Sequence, residues 1–200
     1  MGDCLQFLIP DIECEQYQIR EVLRCLLQTI IFTRALGVVR PREVDCELFD
    51  ITYITCGDAN IDGAIDEKLN VFCAVLERSP SSRGQMCLSF YEKRTKKAWF
   101  SKHEERLYWE QWLITIMVNR TPPPGGTHAR SQRQQILEQE LRDRIAFILA
   151  RVNEKRDHVP PVVTPDLMPF AYEISIPSSS ESWGLDMFKR MLQTTPPMLG

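Results

Sequence analysis

This sequence predicts an α+β fold, an antiparallel sheet packed on one face by three helices, and three observations carry that reading. Apolar residues recur at helical spacing in three separate stretches, within 19–31, 61–76 and 137–152. Around them lie short runs that alternate apolar and polar residues or are apolar throughout, as strands do. The order reads β-α-β-α-β-β-α-β, and the two middle strands follow one another with no helix between them, which predicts an antiparallel pair.

Residues 5–9 are apolar and end at Pro10, which suits a first edge strand. Ile19, Val22, Leu23, Leu26, Leu27, Ile30 and Ile31 make one helix stripe, which Gly37 stops. Pro41 leads into residues 46–56, read as a single strand with Phe49, Ile51 and Tyr53 on one face and Cys46, Leu48, Ile54 and Cys56 on the other. Both faces are largely apolar, so that strand is expected to be covered on both sides. Asp58 and Asn60 offer caps for a second helix with Ile61, Ile65, Leu69, Phe72 and Leu76 inward. After a loop at 79–84, Met86, Leu88 and Phe90 alternate with Cys87, Ser89 and Tyr91 as a strand. The longest strand follows a basic loop, with Trp112, Ile114, Ile116 and Val118 on one face and Trp109, Leu113 and Met117 on the other. The Pro-Pro-Pro-Gly-Gly run at 122–126 breaks structure. Ser131 with Gln134 reads as a capping box for the third helix, with Leu137, Leu141, Ile145, Ile148 and Val152 inward. Glu138, Glu140, Arg142, Asp143 and Arg144 then form a solvated face of mixed sign. Pro160 and Pro161 end the helical region, and residues 170–176 are a last strand. The chain thus divides into one domain at 1–177 and a flexible tail at 178–200, with Trp183, Met187, Phe188 and Met191 as a short amphipathic helix.

With 200 residues, 44% hydrophobic and 26% charged, the chain can bury a core of its own as an ordinary soluble globule. A net charge of −3 gives no general pull toward nucleic acid or anionic membrane. No apolar run reaches membrane-spanning length, and the first residues lack the pattern of a secretion signal. Met1-Gly2 begins like a myristoylation site and fails at Gln6; the triplet at Asn119 is expected to stay unmodified. Seven cysteines, at 4, 14, 25, 46, 56, 73 and 87, include no Cys-x-x-Cys pair. They read as packing residues of a reducing, cytoplasmic compartment, free and mostly unreactive until unfolding, with Cys46 and Cys56 too far apart on an extended strand to bridge. His103, His128 and His158 have no ligand-like spacing to the thiols, so neither a metal nor a cofactor is expected. No nucleophile–base pair or phosphate-cradling loop can be assembled, so no catalytic residue is assigned and an enzyme is not expected. Asp45, Asp50, Asp58 and Asp62 read as turn, edge and helix-start chemistry.

The feature most suggestive of function is Trp99-Phe100, at the end of the basic run Lys93, Arg94, Lys96 and Lys97. Two adjacent aromatics at a loop tip give up the gain of burial unless a partner covers them. One reading folds the pair back over the domain's own core; loop position and adjacency favour a binding tip. The basic stem with Trp99 also permits base stacking on nucleic acid, a minor reading for an acidic chain, and membrane contact at the tip stays open.

Residues 43–53, Glu-Val-Asp-Cys-Glu-Leu-Phe-Asp-Ile-Thr-Tyr, closely resemble a strand motif of the autophagy-related protein 101 family, HORMA-domain subunits of the animal autophagy-initiation kinase complex. Residues 85–91 before the basic run, Trp109-Glu-Gln-Trp112, Asp157-His-Val-Pro160 and residues 169–175 resemble further segments of that family in the same order. The resemblance spans about residues 5–176. It implies a HORMA domain whose last part wraps as a safety belt, and no catalysis. It further implies pairing with the HORMA domain of autophagy-related protein 13, which it steadies, and recruitment of downstream autophagy factors at the preautophagosomal structure. Trp99 and Phe100 match the family's aromatic finger, although the family separates the two with a proline and here they adjoin. Without its partner the chain has the option of pairing with its own copy. A rival within the same fold traps a linear peptide under the belt, in a different pathway.

Overall fold

The computed structural model describes residues 4–98, 101–121 and 126–177, with the backbone alone at 95–98 and 101–104. Its strands are β1 (Leu5–Leu8), β2 (Ile12–Glu15), β3 (Arg42–Asp45), β4 (Thr52–Thr55), β5 (Arg83–Ala98), β6 (Ser101–Asn119) and β7 (Ala171–Ser175). Its helices are α1 (Ile19–Arg34), α2 (Ala59–Arg78) and α3 (Gly126–Glu154). The main sheet runs β1-β6-β5-β7, with β2 also on β6.

The sheet is mixed rather than antiparallel throughout. β5 pairs antiparallel with β6 and β7, but β1 and β2 run parallel to β6. The first strand is an edge, as its sequence suggests, and it resumes beyond Pro10 as β2. Pro10 lacks the N–H that would continue the ladder. The Ile9 N–H instead bonds the Leu113 carbonyl at 3.0 Å, and pairing starts again at Ile12↔Ile116.

Residues 46–56 are not one strand. β3 and β4 form a separate antiparallel hairpin, and residues 46–51 are its turn. The Cys46 N–H bonds the Ile51 carbonyl at 2.9 Å, and the Thr52 hydroxyl bonds Asp45 Oδ1 at 2.6 Å. The Glu21 carboxylate of α1 accepts from the N–H groups of Glu47 and Leu48, which holds the turn on that helix. Phe49, Ile51 and Tyr53 are buried, so the alternation marks the apolar face correctly but cannot reveal a reversal that α1 imposes.

The α1 stripe is fully buried, and the helix also buries Cys25, Gln28, Thr29 and Arg34. α2 buries Ile61, Ile65, Leu69, Phe72 and Leu76, the five positions its periodicity names. Asp58 caps it, with Oδ1 accepting from the N–H of Asn60 at 2.8 Å and of Ile61 at 3.1 Å. Asp58→Ala strands both donors and is expected to cost about 1 kcal/mol of stability, readable by urea unfolding at equilibrium. Gly84 of β5 lets α2 press on the sheet: a Cβ there would stand 2.7 Å from Phe72 Cζ.

Ser131 does not cap α3, which already begins at Gly126, where φ is +65°. Gln134 instead donates to the Leu48 carbonyl at 2.6 Å. The mixed-sign face is only partly solvated. Glu138 accepts from the Asp50 N–H at 3.0 Å, Arg142 donates to the Asp50 carbonyl, and Arg144 donates to the Pro10 carbonyl at 3.2 Å. These side chains tie both the hairpin turn and the kink between β1 and β2 to α3.

One charge cluster lies inside the core. Glu110 of β6 is fully buried, and Arg34 at the end of α1 is 3% exposed. Arg34 Nε and Nη2 donate to the carboxylate at 2.9 and 2.6 Å, the Trp112 indole N–H donates at 2.6 Å, and His158 Nε2 lies 2.6 Å away. The cluster joins α1, the sheet and the segment after α3.

Candidate interaction site

β5 and β6 outrun their neighbours. β7 leaves β5 at Tyr91↔Ala171, and β1 joins β6 only at Leu5↔Glu110. Past those points the two strands pair with each other alone among the described residues, from Tyr91↔Tyr108 to Ala98↔Ser101. The seven pairs beyond Tyr91 make a two-stranded ribbon roughly 20 Å long at about 3.4 Å per residue. The basic run Lys93, Arg94, Lys96 and Lys97 is therefore strand, not loop. Its register sets Arg94 opposite Glu105, so an acidic position on β6 offsets part of the run. Trp99 and Phe100, which join the two strands in sequence, lie outside the described residues.

A β-bulge anchors the ribbon. Phe90 pairs with Glu110 and Tyr91 with Tyr108, which leaves Trp109 unopposed. The alternation expected from sequence assigns Trp109 to the face of Leu113 and Met117, but the bulge turns it to the helix-covered face. There its ring centroid is 4.9 Å from Phe170, 5.5 Å from Phe90 and 5.8 Å from His158.

A polar clamp holds the opposite face at the ribbon's root. Glu173 of β7 accepts from the Tyr108 hydroxyl at 2.6 Å and from Arg106 Nη1 at 2.6 Å. The Arg106 guanidinium also lies over the Tyr91 ring at 4.9 Å, and the rings of Tyr91 and Tyr108 are 5.5 Å apart. Burial first, then the Glu173 carboxylate, pushes the Tyr108 hydroxyl up to about 12, so it stays a donor at neutral pH. Sequence reasoning missed this clamp because Glu173 is 65 residues from Tyr108. The alternation along β6 is the one signal that puts Arg106 and Tyr108 on a common face.

By register the neighbouring cations Lys93 and Arg94 fall on opposite faces of the ribbon. Among the described residues no three or more His, Cys, Asp or Glu side chains come together as a metal site, and no helix is long and apolar enough to cross a membrane. What this geometry offers is mechanical: a two-stranded ribbon rooted in the sheet that runs on to Ala98 and Ser101.

Residues 11–166 match the family model of autophagy-related protein 101. The chain is 45% identical to the Arabidopsis thaliana autophagy-related protein 101, over 99% of this chain and 100% of that one. It is 30% identical to the Schizosaccharomyces pombe protein of the same name, over 86% of each. For the Homo sapiens protein of that name the identity is 23%, over 84% of this chain and 86% of the other.

Proposed function

The chain belongs to the autophagy-related protein 101 family, and from that premise we propose that it is a non-enzymatic adaptor of autophagosome formation. Residues 1–177 act as a HORMA domain with a safety belt in their last part, and 178–200 as a tail. The domain pairs with and stabilises the HORMA domain of autophagy-related protein 13. Trp99 and Phe100 form the finger that recruits downstream factors, with Lys93, Arg94, Lys96 and Lys97 as its stem. The work is done in the cytoplasm, at the preautophagosomal structure.

The observation that carries this reading is full-length similarity to a family named for autophagy. The anchored ribbon supports the finger assignment. Trp109 packed among Phe90, Phe170 and His158, with the Glu173 clamp behind it, roots the ribbon in the sheet. Such a lever keeps its aromatic cargo available at little ordering cost when a partner arrives.

Co-expression with the HORMA domain of autophagy-related protein 13, followed by size-exclusion chromatography with light scattering, tests the pairing. The expected species is a one-to-one complex. Separate elution of the two chains at micromolar concentration removes the adaptor reading. Self-association of this chain in the partner's absence leaves that expectation in place.

A further inference from the structure

The face of the main sheet that turns away from the helices is buried too. Met86, Leu88 and Phe90 of β5 join Trp112, Ile114 and Ile116 of β6 in the core, together with the buried apolar residues of all three helices. The alternate positions pair as Gln85↔Thr115, Cys87↔Leu113 and Ser89↔Gln111, and so point the other way. There Cys87 is 4% exposed, Ser89 2%, Gln111 6%, Leu113 5% and Thr115 3%. Cys87 and Leu113 stand outside the core cluster. Among the described residues no helix covers them, yet a sheet face left to water does not reach such values.

We propose that this face is a docking surface for the chain's own residues 178–200, which fold back and lay Trp183, Met187, Phe188 and Met191 over Cys87, Leu113 and Thr115. The segment starts in the right place. β7 is the edge strand beside β5 and pairs Ser175 with Cys87, so the chain leaves the sheet next to the patch. The burial is graded in the matching direction. It is deep on β5 and β6 and gone on β1, where Leu8 pairs with Leu113 but is 59% exposed. A cover that enters from β7 and stops over β6 leaves that gradient. Crossing from β7 to β6 takes two strand spacings, about 10 Å, and residues 178–182 span up to about 17 Å when extended. The other stretches outside the described residues, 1–3, 99–100 and 122–125, are too short to cover the patch.

The chemistry of the two surfaces agrees. The polar side chains of the patch bond to one another rather than waiting for water. Gln111 Nε2 donates to Ser89 Oγ at 3.1 Å, Gln85 Nε2 donates to Thr115 Oγ1 at 3.2 Å, and the Cys4 thiol donates to Gln111 Oε1 at 3.5 Å. An apolar cover therefore strands none of these donors. Cys87, Ser89 and Thr115 are small and make a shallow bed, which suits large side chains from above. Trp183, Met187, Phe188 and Met191 recur at one-turn spacing, so a helix would present all four on one side. Residues 183–191 as a helix measure about 13 Å, and the patch from Gln111 to Thr115 runs about 14 Å along β6. Left in water, the four would make an exposed apolar patch.

Cys87 reports the cover directly. The full chain is treated with N-ethylmaleimide under native conditions, and the labelling rate of each thiol is read by peptide mass spectrometry. In wild type Cys87 is expected to label slowly, at a rate that dilution of the protein does not change. In Trp183→Ala/Phe188→Ala its rate is expected to rise about tenfold or more, because the patch then opens without global unfolding. Cys14 and Cys25, buried on the helix side, serve as internal controls and are expected to keep their slow rates. If the double variant exposes those controls as well, the single Trp183→Ala is read in the same way and decides. The proposal is overturned if Cys87 labels as slowly in the folded variant as in wild type, or if wild-type Cys87 labels as fast as in the variant. It is also overturned if the protection of Cys87 fades on dilution, which makes the cover a second copy.

Discussion

Glu110→Ala is expected to lower the melting temperature of this protein by about 10 °C, the largest loss for any single side chain considered. The carboxylate is fully buried and accepts from both Arg34 and the Trp112 indole while His158 lies against it. Removing it leaves a guanidinium that is 3% exposed with no counter-charge, and an indole N–H with no acceptor. Breaking a buried pair from one side costs about 3–5 kcal/mol, and at this chain length each kcal/mol moves the melt by about 2–4 °C. The effect also depends on pH. Burial alone raises the Glu110 carboxyl, but hydrogen bonds from His158, Arg34 and Trp112 outweigh it and hold the group below the usual carboxylate range. A carboxyl depressed by folding contributes its full stability above its unfolded value, near 4.3, and loses it as pH falls through the folded one. The gap between wild type and Glu110→Gln is therefore expected to be wide at pH 7 and to shrink below about pH 4. Equal melts at neutral pH contradict this account of the cluster.

Trp99→Ala/Phe100→Ala is expected to do the reverse, leaving folding intact and abolishing recruitment. The ribbon is rooted by Trp109 and Glu173, so deleting the pair is expected to change stability by no more than about 0.5 kcal/mol. As interface anchors, two large aromatics contribute about 2 kcal/mol or more each, so binding of downstream factors weakens by about a thousandfold if the two add. The check pairs a thermal melt with quantitative capture from lysate, wild type beside variant, each in complex with the partner HORMA domain. A melt several degrees lower means that the pair packs on the domain's own core, and the finger assignment then fails.

The helices were the most legible part of this chain. Ile61, Ile65, Leu69, Phe72 and Leu76 recur at a period only a helix satisfies, and Asp58 marks the start chemically. Contacts between segments distant in sequence were not legible. The hairpin turn depends on Glu21 from α1, the ribbon root on Glu173 from β7, and the buried Glu110 on Arg34, 76 residues away. The basic run looked like a loop because four cations in five residues suit solvent. As a strand it is held by its β6 register, and no local pattern encodes that. Trp109 shows the same limit: a one-residue bulge reverses its face, and period-two reasoning has no term for it. Of the candidate site, composition and position alone pointed to Trp99-Phe100 and its stem. The anchoring that makes the ribbon a lever emerges only once the sheet is assembled.

The proposed pairing requires that this chain hold the HORMA domain of autophagy-related protein 13 in its folded state, and the most direct measurement is the melting temperature of that partner with and without it. A protein that binds only the folded form of its partner must raise the partner's apparent stability, by about 2.7 kcal/mol at a hundredfold excess over the dissociation constant. The HORMA domain of autophagy-related protein 13 carries a site-specific fluorophore and is melted alone, then with increasing amounts of this chain. The account predicts a melt that climbs by several degrees and keeps climbing with the logarithm of added chain. A partner melt that stays where it was at every ratio contradicts it.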